Sequence, residues 1–507
     1  MNVVVDGSAL SVDDVIAVAY GRAEVVVGDD LDDRMEPARA LVQGVIDNDE
    51  TVYGITTGFG ALSNTRVSPD QASELQYDLV RSHASGVGEM LDIETVRAML
   101  LLRARTLSQG HSGVRPDIVR YLITMLNNNI LPAVPCQGSV GASGDLAPFA
   151  HLALPVIGEG FVLDDDGQEV PSLPVLQRHG IEPLVLQAKE GLSLLNGTEG
   201  MLAMGCLAIH RARLLVDADD AACALTVEAM LGSDRPFEKR IHELRPHPGQ
   251  VRSAQRIRNL LKGSGISASH HDDFSHKVQD AYSLRCAPQV HGAARDTIAH
   301  AEAVFTIELG SVVDNPIVFP EDGDVVSGGN FHGQPLAFAM DFLSIAVTEL
   351  GSISERRTDR LLDPHRSSGL TPFLATNPGV SSGYMITQYA AAAIVAENRV
   401  LSHPASVESI PTSGLQEDHV SMGWGAARKL GTILTNTARV IAVELMCGAQ
   451  GVEQRPHEPA PGTAAVRDTV RTVCRPLRED RPPGPDIMAI AELINKGAFS
   501  EIDEEST

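Results

Sequence analysis

Residues 138–148, with the sequence GSVGASGDLAP, have the composition to make an electrophile from the chain itself. Their glycines allow a turn tight enough to bring the amide nitrogen of Gly144 against the carbonyl carbon of Ala142. Closing that five-membered ring with loss of two waters, one of them using the hydroxyl of Ser143, would leave a methylene group beside a conjugated carbonyl. Because no side chain is an electrophile of this kind, such chemistry usually belongs to a cofactor.

The residues alone leave a simpler interpretation of this run open. A stretch rich in glycine and serine before Asp145 is also typical of a loop that leads into a helix, with Asp145 as its N-cap. A serine nucleophile elbow is excluded by the pattern. That motif needs glycine two positions after Ser143, where this chain has Asp145.

The same run resembles the cyclising segment of the aromatic amino-acid ammonia-lyases, whose Ala-Ser-Gly tripeptide becomes 4-methylidene-imidazol-5-one (MIO). Residues 189–198, KEGLSLLNGT, match a second signature of that family, and the resemblance extends over most of the chain. It favours the ring over the plain loop. It implies a mainly α fold, a long-helix bundle of the aspartase/fumarase-like type, and an MIO formed from Ala142, Ser143 and Gly144 without a metal or nucleotide.

A glycine-rich run near the N-terminus contains a tyrosine that could transfer a proton. Residues 53–60, YGITTGFG, hold three glycines and predict a loop that folds closely over its surroundings. By itself Tyr53 would be an ordinary half-buried tyrosine. The resemblance makes its phenol a candidate for proton transfer.

A second tyrosine lies in residues 279–289, QDAYSLRCAPQ. Gln279, Tyr282 and Arg285 are three residues apart, so on a helical turn they could present an amide, a phenol and a guanidinium to one ligand. The planar guanidinium of Arg285 suits a carboxylate. The resemblance implies that this segment binds the substrate carboxylate and contributes to proton transfer.

Two further motifs resemble the histidine-specific branch of the family. His83, in the run RSHASGVG, would by itself be a structural histidine near a helix end. In that branch a Ser-His pair stands here and the histidine contacts the substrate ring. Glu417, in the run QEDHVSM, would by itself belong to a charged helix start. The resemblance implies that its carboxylate lies near the substrate ring.

The resemblance also implies that Asn196 lies beside the MIO and the substrate, and that Phe331 packs on the ring. From the residues alone, Asn196 could be a helix C-cap and Phe331 a core side chain. The chain departs from the family pattern at Glu199, where glutamine is common, and at Leu415, where asparagine is usual. The second departure leaves the placing of Glu417 open.

The activity that the resemblance implies is the non-oxidative deamination of L-histidine to trans-urocanate and ammonia, the first step of histidine degradation. The α-amine would add to the MIO, a base would remove the β-proton, and ammonia would leave. Tyr53 and Tyr282 are the candidate proton carriers, and either would need a lowered pKa to act as a base near neutrality. The alternatives are an MIO-dependent phenylalanine or tyrosine lyase or aminomutase, which His83 and Glu417 disfavour, and an inactive helical scaffold.

Helical patterns supply the elements that position these motifs. Ser11 precedes acidic residues and predicts a capped helix, and residues 93–108 predict another. After residue 200 the apolar periodicity predicts long bundle helices. One such stripe consists of Met340, Leu343, Val347 and Leu350. We expect an N-terminal region, residues 1–197, with the MIO-forming loop, and a long-helix bundle and C-terminal region, residues 198–507, in one continuous unit.

Charge is the strongest compositional signal. The chain has 66 Asp and Glu residues against 40 Lys and Arg, and a formal net charge of -26. Nucleic acids and anionic membranes are excluded as partners because both would be repelled. The same surface is compatible with an ordinary acidic enzyme and with a protein that works in concentrated salt, where self-repulsion is screened.

Other features predict a cytoplasmic location. No signal peptide and no run of about 20 apolar residues is present, so we expect no membrane span. The six cysteines contain no CxxC pair, which favours a reduced compartment. The histidines and aspartates at residues 270–276 predict a solvated lid loop in preference to a metal site. The resemblance implies a homotetramer in which three subunits build each active site.

Overall fold

The computed structural model describes residues 2–48, 50–62, 65–68, 71–270 and 278–502. This part of the chain is mainly helical, and its strands are short. It confirms the mainly α, long-helix fold. The chain divides into two compact units. The first comprises Met1–Leu207, Glu302–Met340 and Pro404–Arg428, and the second comprises Ala208–Ala301, Asp341–His403 and Lys429–Thr507.

These units do not divide the chain at residue 197, and each is built from three separate stretches of sequence. The organisation into residues 1–197 and 198–507 therefore stays a prediction of the sequence pattern.

The first unit contains most of the short elements. Its own helices are α1 (Val12–Ala19), α2 (Leu31–Asp47), α3 (Ala72–His83), α4 (Ile93–Leu107), α5 (Pro116–Asn127), α6 (Leu146–Ala153), α7 (Ser172–Arg178) and α8 (Glu190–Leu195). Its strands are β1 (Asn2–Val5), β2 (Glu24–Val27), β3 (Val87–Met90), β4 (Leu131–Pro132), β5 (Pro135–Gln137), β6 (Phe161–Leu163), β7 (Glu169–Pro171), β8 (Ile317–Phe319) and β9 (Asp324–Val326). They form small sheets, of which only the β1–β2 pair is parallel.

Helix α4 is the central element of the first unit. Every side chain from Thr95 to Leu107 is buried, including three arginines. Two of these guanidiniums donate to backbone carbonyls of the N-terminal segment: Arg97 to Val18 at 2.9 Å and Arg105 to Ser8 at 3.0 Å. Buried carbonyl groups need hydrogen-bond donors, and these arginines supply them. Helix α4 therefore holds the N-terminal segment by hydrogen bonds as well as by apolar packing.

The predicted helix signals agree with the structure of this unit. The hydroxyl of Ser11 accepts from the backbone N–H of Asp14 at 3.1 Å, and the Asp14 carboxylate accepts from the Ser11 N–H at 2.9 Å. This reciprocal pair is a capping box, and it confirms the capped start of α1.

Four long helices have residues in both units: α9 (Glu199–Ala229), α14 (Ala287–Glu308), α15 (Gln334–Leu362) and α17 (Gly423–Val452). The shorter helices of the second unit are α10 (Lys239–Glu243), α11 (Pro248–Leu260), α12 (Gly265–Ala268), α13 (Tyr282–Arg285), α16 (Met385–Leu401), α18 (Pro461–Arg471) and α19 (Gly484–Asn495). The predicted stripe on α15 is confirmed as core, because all four of its side chains are fully buried.

Helices α15 and α17 are long and apolar enough to cross a membrane by length and composition. However, 67% and 78% of their most apolar windows are buried within the structure. Burial of this kind is typical of the core helices of a folded domain.

A buried network of charges lies in the second unit. Arg357 is fully buried and donates to the carboxylates of Glu444, at 2.8 Å, and Asp219. The hydroxyls of Thr226 and Ser354 also donate to Glu444, at 2.7 and 2.6 Å. The network joins α9, α15 and α17, and removing one member would leave the others buried and uncompensated.

We expect Glu444→Ala to lower the free energy of unfolding by about 3–5 kcal/mol, because it leaves Arg357 without its main counter-charge. The matched control is Glu492→Ala, which removes an exposed carboxylate 3.4 Å from Lys496 and should change stability by less than about 1 kcal/mol. Denaturant unfolding measures both values. Equal, small effects in the two variants would contradict this account of the network.

Candidate active site

The glycine-rich loop adopts the tight turn that the sequence predicts. Gly141, Ser143 and Gly144 have φ values of 78°, 51° and 81°. Two of them are glycines, for which this left-handed conformation is inexpensive, but Ser143 carries a side chain and is strained there. The strain lies at the residue whose hydroxyl would be lost when the methylene group forms.

Two other segments clamp this loop. Gly144 pairs with Gly197 in a β-bridge, and the N–H of Asp145 donates to the Gly197 carbonyl at 2.8 Å. A Cβ added at Gly144 would collide with the backbone of Gly197. On the other side, the N–H of Met422 donates to the carbonyl of Val140 at 3.0 Å.

Asp145 occupies the N-cap position of the helix that it precedes, as one interpretation predicted. Helix α6 begins after it, but the Asp145 side chain makes no capping bond there. Its Oδ2 instead accepts from the N–H of Met201 at 2.8 Å, in the first turn of α9. The predicted N-cap position is therefore confirmed, but the side chain forms its hydrogen bond with a different helix. Burial raises the pKa of the Asp145 carboxyl to about 7.

His83 lies at the end of α3 and faces the loop. Together with Gly138, Ser139, Ala142 and Gly144 it lines a cavity of about 210 Å³. Its Nδ1 is 2.9 Å from the carbonyl oxygen of Leu79, which can only accept, so Nδ1 carries the hydrogen. Burial lowers the pKa of the His83 imidazole, and the neutral ring keeps an acceptor at Nε2.

Glu417 lies close to the loop, although it is far from it in the sequence. Its Oε1 is 3.5 Å from the hydroxyl of Ser143, and its Oε2 accepts from the hydroxyl of Thr412 at 2.9 Å. The turn that carries it passes through Leu415, which is exposed and has a φ of 71°. Asparagine tolerates that conformation better than leucine, so the departure at this position strains the turn, while Thr412 still holds the carboxylate.

Tyr53 lies within electrostatic reach of Glu417. Burial raises the pKa of the Tyr53 phenol, and the negative charge of Glu417 raises it further. A hydrogen bond from the backbone of Gly60 lowers this pKa but does not cancel the rise. The N–H of Ala61 donates to the hydroxyl of Ser413 at 3.3 Å, which ties the tyrosine loop to the turn of Glu417. In this chain the phenol keeps its proton at neutral pH.

Asn196 ends α8 as its C-cap residue, as one interpretation predicted. Its backbone carbonyl accepts from Arg103 at 3.0 Å, and the same guanidinium is 2.7 Å from the carboxylate of Glu199. Glu199 is thus the partner of a fully buried arginine. Burial raises the pKa of Glu199 and Arg103 opposes that rise, so this departure from the family pattern adds a buried ion pair behind the loop.

Phe331 is half-buried in the turn that leads into α15. The next residue, His332, is 3.1 Å from the carbonyl oxygen of His419 through Nε2, and the two imidazole rings stack with centroids 5.8 Å apart. This contact joins the segment of Phe331 to that of Glu417.

The remaining predicted residues belong to the second unit. Gln279 and Arg285 line a cavity of about 860 Å³. Tyr282 is 71% exposed, and the Arg285 guanidinium lies 4.4 Å from the centroid of its ring. The expectation that all three share a helical turn is wrong for Gln279, because α13 begins only at Tyr282.

The residues of the loop fit an MIO. The backbone of residues 142–144 is already tightly turned, the contact with Gly197 leaves no room for a side chain at Gly144, and Asn196 Oδ1 is buried without a hydrogen-bond partner in the described part of the chain. Such an orphaned acceptor indicates a missing donor.

Among the described residues, no group of three or more His, Cys, Asp or Glu side chains is arranged to hold a metal ion. Most of the predicted lid loop, residues 271–277, lies outside the described residues.

Comparison with known proteins identifies the family. A profile of the aromatic amino acid lyases matches residues 10–472. The chain belongs to the aromatic amino acid lyase family. Histidine ammonia-lyase from Gloeobacter violaceus is 50% identical to this lyase over 502 residues, which cover 99% of this chain and 97% of the relative.

Solved structures of the family superimpose closely on this lyase. Histidine ammonia-lyase from Trypanosoma cruzi has a TM-score of 0.92 and 42% identity, with 100% of this chain and 96% of that chain covered. Tyrosine aminomutase from Streptomyces globisporus has a TM-score of 0.94 and 41% identity, with 100% and 99% covered. The fold is therefore shared by enzymes named for different reactions.

Several residues that shape the site were not predicted from the sequence. Besides Arg103 they include Gln76, whose Oε1 accepts from the N–H groups of Gly191 and Leu192 at 2.9 and 3.2 Å and so caps α8. Their partners are distant in sequence, so no local pattern could have indicated them.

We expect Gly144→Ala to abolish ring formation and activity, because its Cβ would collide with the Gly197 backbone. Gly167→Ala is the matched control: its φ of 73° is similar, but nothing lies within 4 Å of the added Cβ. The control should lose only about 1–2 kcal/mol of stability to backbone strain. Intact mass, turnover and denaturant unfolding compare the two variants. A Gly144→Ala variant that forms the ring and turns over normally would contradict the proposed contact.

Proposed function

We propose that this lyase is a histidine ammonia-lyase that converts L-histidine to trans-urocanate and ammonia. The observation that carries the proposal is a pair of side chains beside the ring-forming loop that can accept hydrogen bonds. They are Glu417, whose carboxylate is 3.5 Å from the Ser143 hydroxyl, and His83, which lines the loop cavity and has its acceptor at Nε2. The roughly 50% identity to curated histidine ammonia-lyases over nearly the full chain supports it.

The acceptor pair supports selectivity for an imidazole. An imidazolium offers two N–H donors, a phenol offers one and a phenyl ring offers none. A substrate that lacks these donors would leave a carboxylate and an imidazole nitrogen desolvated and unpaired, which disfavours its binding.

The loop residues Ala142, Ser143 and Gly144 would supply the MIO. Its chemical contribution is an electrophile that withdraws electrons from the α-amine, so that ammonia becomes a leaving group. Asn196 and Phe331 would support the ring and the substrate, and Arg285 and Gln279 would bind the substrate carboxylate. The guanidinium of Arg285 can do so with two parallel hydrogen bonds.

The two tyrosines have different surroundings, and we assign them different roles. Tyr53, whose pKa is raised, keeps its proton and acts as a donor. Tyr282 has the positive charge of Arg285 against its ring and removes the β-proton. To fill these roles, each phenol would lie within hydrogen-bond distance of the substrate.

We also propose a cytoplasmic homotetramer with shared active sites. Large apolar side chains stand exposed on α15 and α16, where a second subunit could cover them. They are Phe338, Phe342, Ile345, Ile386, Tyr389 and Val400. The exposure of Tyr282 is consistent with a role in the site of another subunit.

A second candidate function is an MIO-dependent lyase or aminomutase that acts on phenylalanine or tyrosine. The close structural likeness to tyrosine aminomutase favours it. The two functions differ in their products, because an aminomutase retains the nitrogen in a β-amino acid. Assays with L-histidine, L-tyrosine and L-phenylalanine, read by ultraviolet absorbance and by chromatography, separate them.

We expect Ser143→Ala to lose essentially all production of urocanate from L-histidine, since the hydroxyl needed to make the methylene is absent. Its helical content and assembly should match the wild type. Ser8→Ala, which removes an exposed hydroxyl, is the control and should keep full activity. Appreciable turnover by Ser143→Ala would exclude the proposed electrophile.

We expect Glu417→Gln to lower kcat/KM for L-histidine about ten- to a hundredfold, the effect of losing one charged hydrogen bond. Glu408→Gln, an exposed carboxylate nearby in the chain, should have no effect. Steady-state kinetics of both variants tests the assignment. If Glu417→Gln retained wild-type kcat/KM, the carboxylate would have no part in binding the imidazole.

We expect the inactive variants Ser143→Ala and Tyr282→Phe to recover activity when they are co-expressed. In a shared site, the loop of one subunit can meet the tyrosine of another, so some sites of a mixed tetramer are intact. Urocanate production by the purified mixed protein measures this recovery. No recovery in a verified mixed tetramer would mean that both residues act within one subunit.

A further inference from the structure

Asp314 and Asn315 occupy a buried position that the proposed mechanism does not use. They precede β8 in the first unit, and their side chains are nearly inaccessible to solvent. Neither belongs to a motif that the sequence singles out. A buried carboxylate next to a buried amide is costly unless each polar atom has a partner, so their contacts indicate what they hold in place.

The carboxylate of Asp314 anchors the start of α8. Its Oδ2 accepts from Lys189 Nζ at 2.8 Å and from the Ser193 hydroxyl at 2.9 Å. Lys189 and Asp314 are both fully buried. Burial alone would raise the pKa of Asp314, but the Lys189 ammonium holds it below its usual value, so the carboxylate is charged at neutral pH.

The same two residues set the orientation of the Asn196 carboxamide. Its Nδ2 donates to the backbone carbonyl of Asn315 at 2.9 Å and is 3.5 Å from Asp314 Oδ1. Both of these oxygens can only accept, so the NH₂ group of Asn196 must face them. The carboxamide oxygen is left buried and without a partner in the described part of the chain, at the residue that precedes Gly197.

Asn315 and the next residue, Pro316, also contact two other segments of the site. The Asn315 side-chain oxygen accepts from the N–H of Gly328 at 2.8 Å, at the start of the segment that carries Phe331. Pro316 packs against the tyrosine loop: a Cβ added at Gly54 would lie 3.1 Å from Pro316 Cδ.

We propose that Asp314 and Asn315 are positioning residues for the reaction. They turn the buried Asn196 oxygen away from themselves and leave it as a hydrogen-bond acceptor, which suits the N–H groups of an amine or of a ring amide. They also hold the segment of Phe331 in register with it. This inference rests on the proposed function, because it assigns a role to residues of that same site.

The first test is Asp314→Asn, assayed with L-histidine after intact mass has given the fraction of subunits with the dehydrated ring. An amide at this position offers only one acceptor oxygen to donors on two sides, so the Asn196 carboxamide loses its fixed orientation. We expect kcat per ring-containing subunit to fall about tenfold or more, while KM changes by less than about threefold.

The control is Glu190→Gln on the same helix. Glu190 is buried and forms a 2.7 Å ion pair with Arg115 at the first residue of α8, whereas Asn196 follows the last residue of that helix. We expect this variant to lose stability and to keep wild-type kcat per ring-containing subunit. If Asp314→Asn behaved in the same way as the control, the pair would be structural only and the inference would be overturned.

The second test changes Asn315 and leaves both residues of the Lys189–Asp314 ion pair in place. Asn315→Ala removes the acceptor for Gly328, whereas Asn315→Asp retains it. We expect kcat to fall about tenfold in Asn315→Ala and to recover to within about threefold of the wild type in Asn315→Asp. Equal activity of the two variants, whether high or low, would overturn the role of this side chain.

Wild-type protein that makes no urocanate would contradict the proposed function itself. Wild-type urocanate production with unaffected Asp314 and Asn315 variants would overturn only the positioning role.

Discussion

The close approach of Gly144 to Gly197 is the constraint on which the rest of the site depends. Two backbone segments meet there with no space for a side chain on Gly144, and Asp145 is fixed by the Gly197 carbonyl. A loop that must react with itself needs such confinement, because a freely moving loop seldom brings an amide nitrogen against a carbonyl carbon two residues earlier. The neighbouring elements serve to keep this contact in place.

Buried charge is the means by which the fold maintains the contact. Arg103 pairs with Glu199 and binds the Asn196 backbone, and Lys189 pairs with Asp314 beside the Asn196 side chain. Such pairs add little net stability, because desolvation offsets much of their attraction. Their directional bonds instead define one arrangement, which is what a preorganised site requires.

The sequence allowed prediction of features that are local. The capped start of α1 at Ser11, the buried stripe on α15 and the turned loop at Ser143 each follow from residues within a few positions of one another. The roles of Asp145 and Asp314 could not be predicted. Asp145 serves a helix that begins 54 residues later, as its bond to Met201 shows, and Asp314 contacts Lys189 across 125 residues. Only the folded chain brings these partners together.

The central claim is that residues 142–144 condense into a built-in electrophile, and peptide mass spectrometry tests it most directly. Wild-type protein is first shown to make urocanate and is then digested, and the peptide that spans residues 138–148 is fragmented. The account predicts a loss of two waters, located at Ala142, Ser143 and Gly144. An unmodified peptide recovered from fully active protein would contradict it.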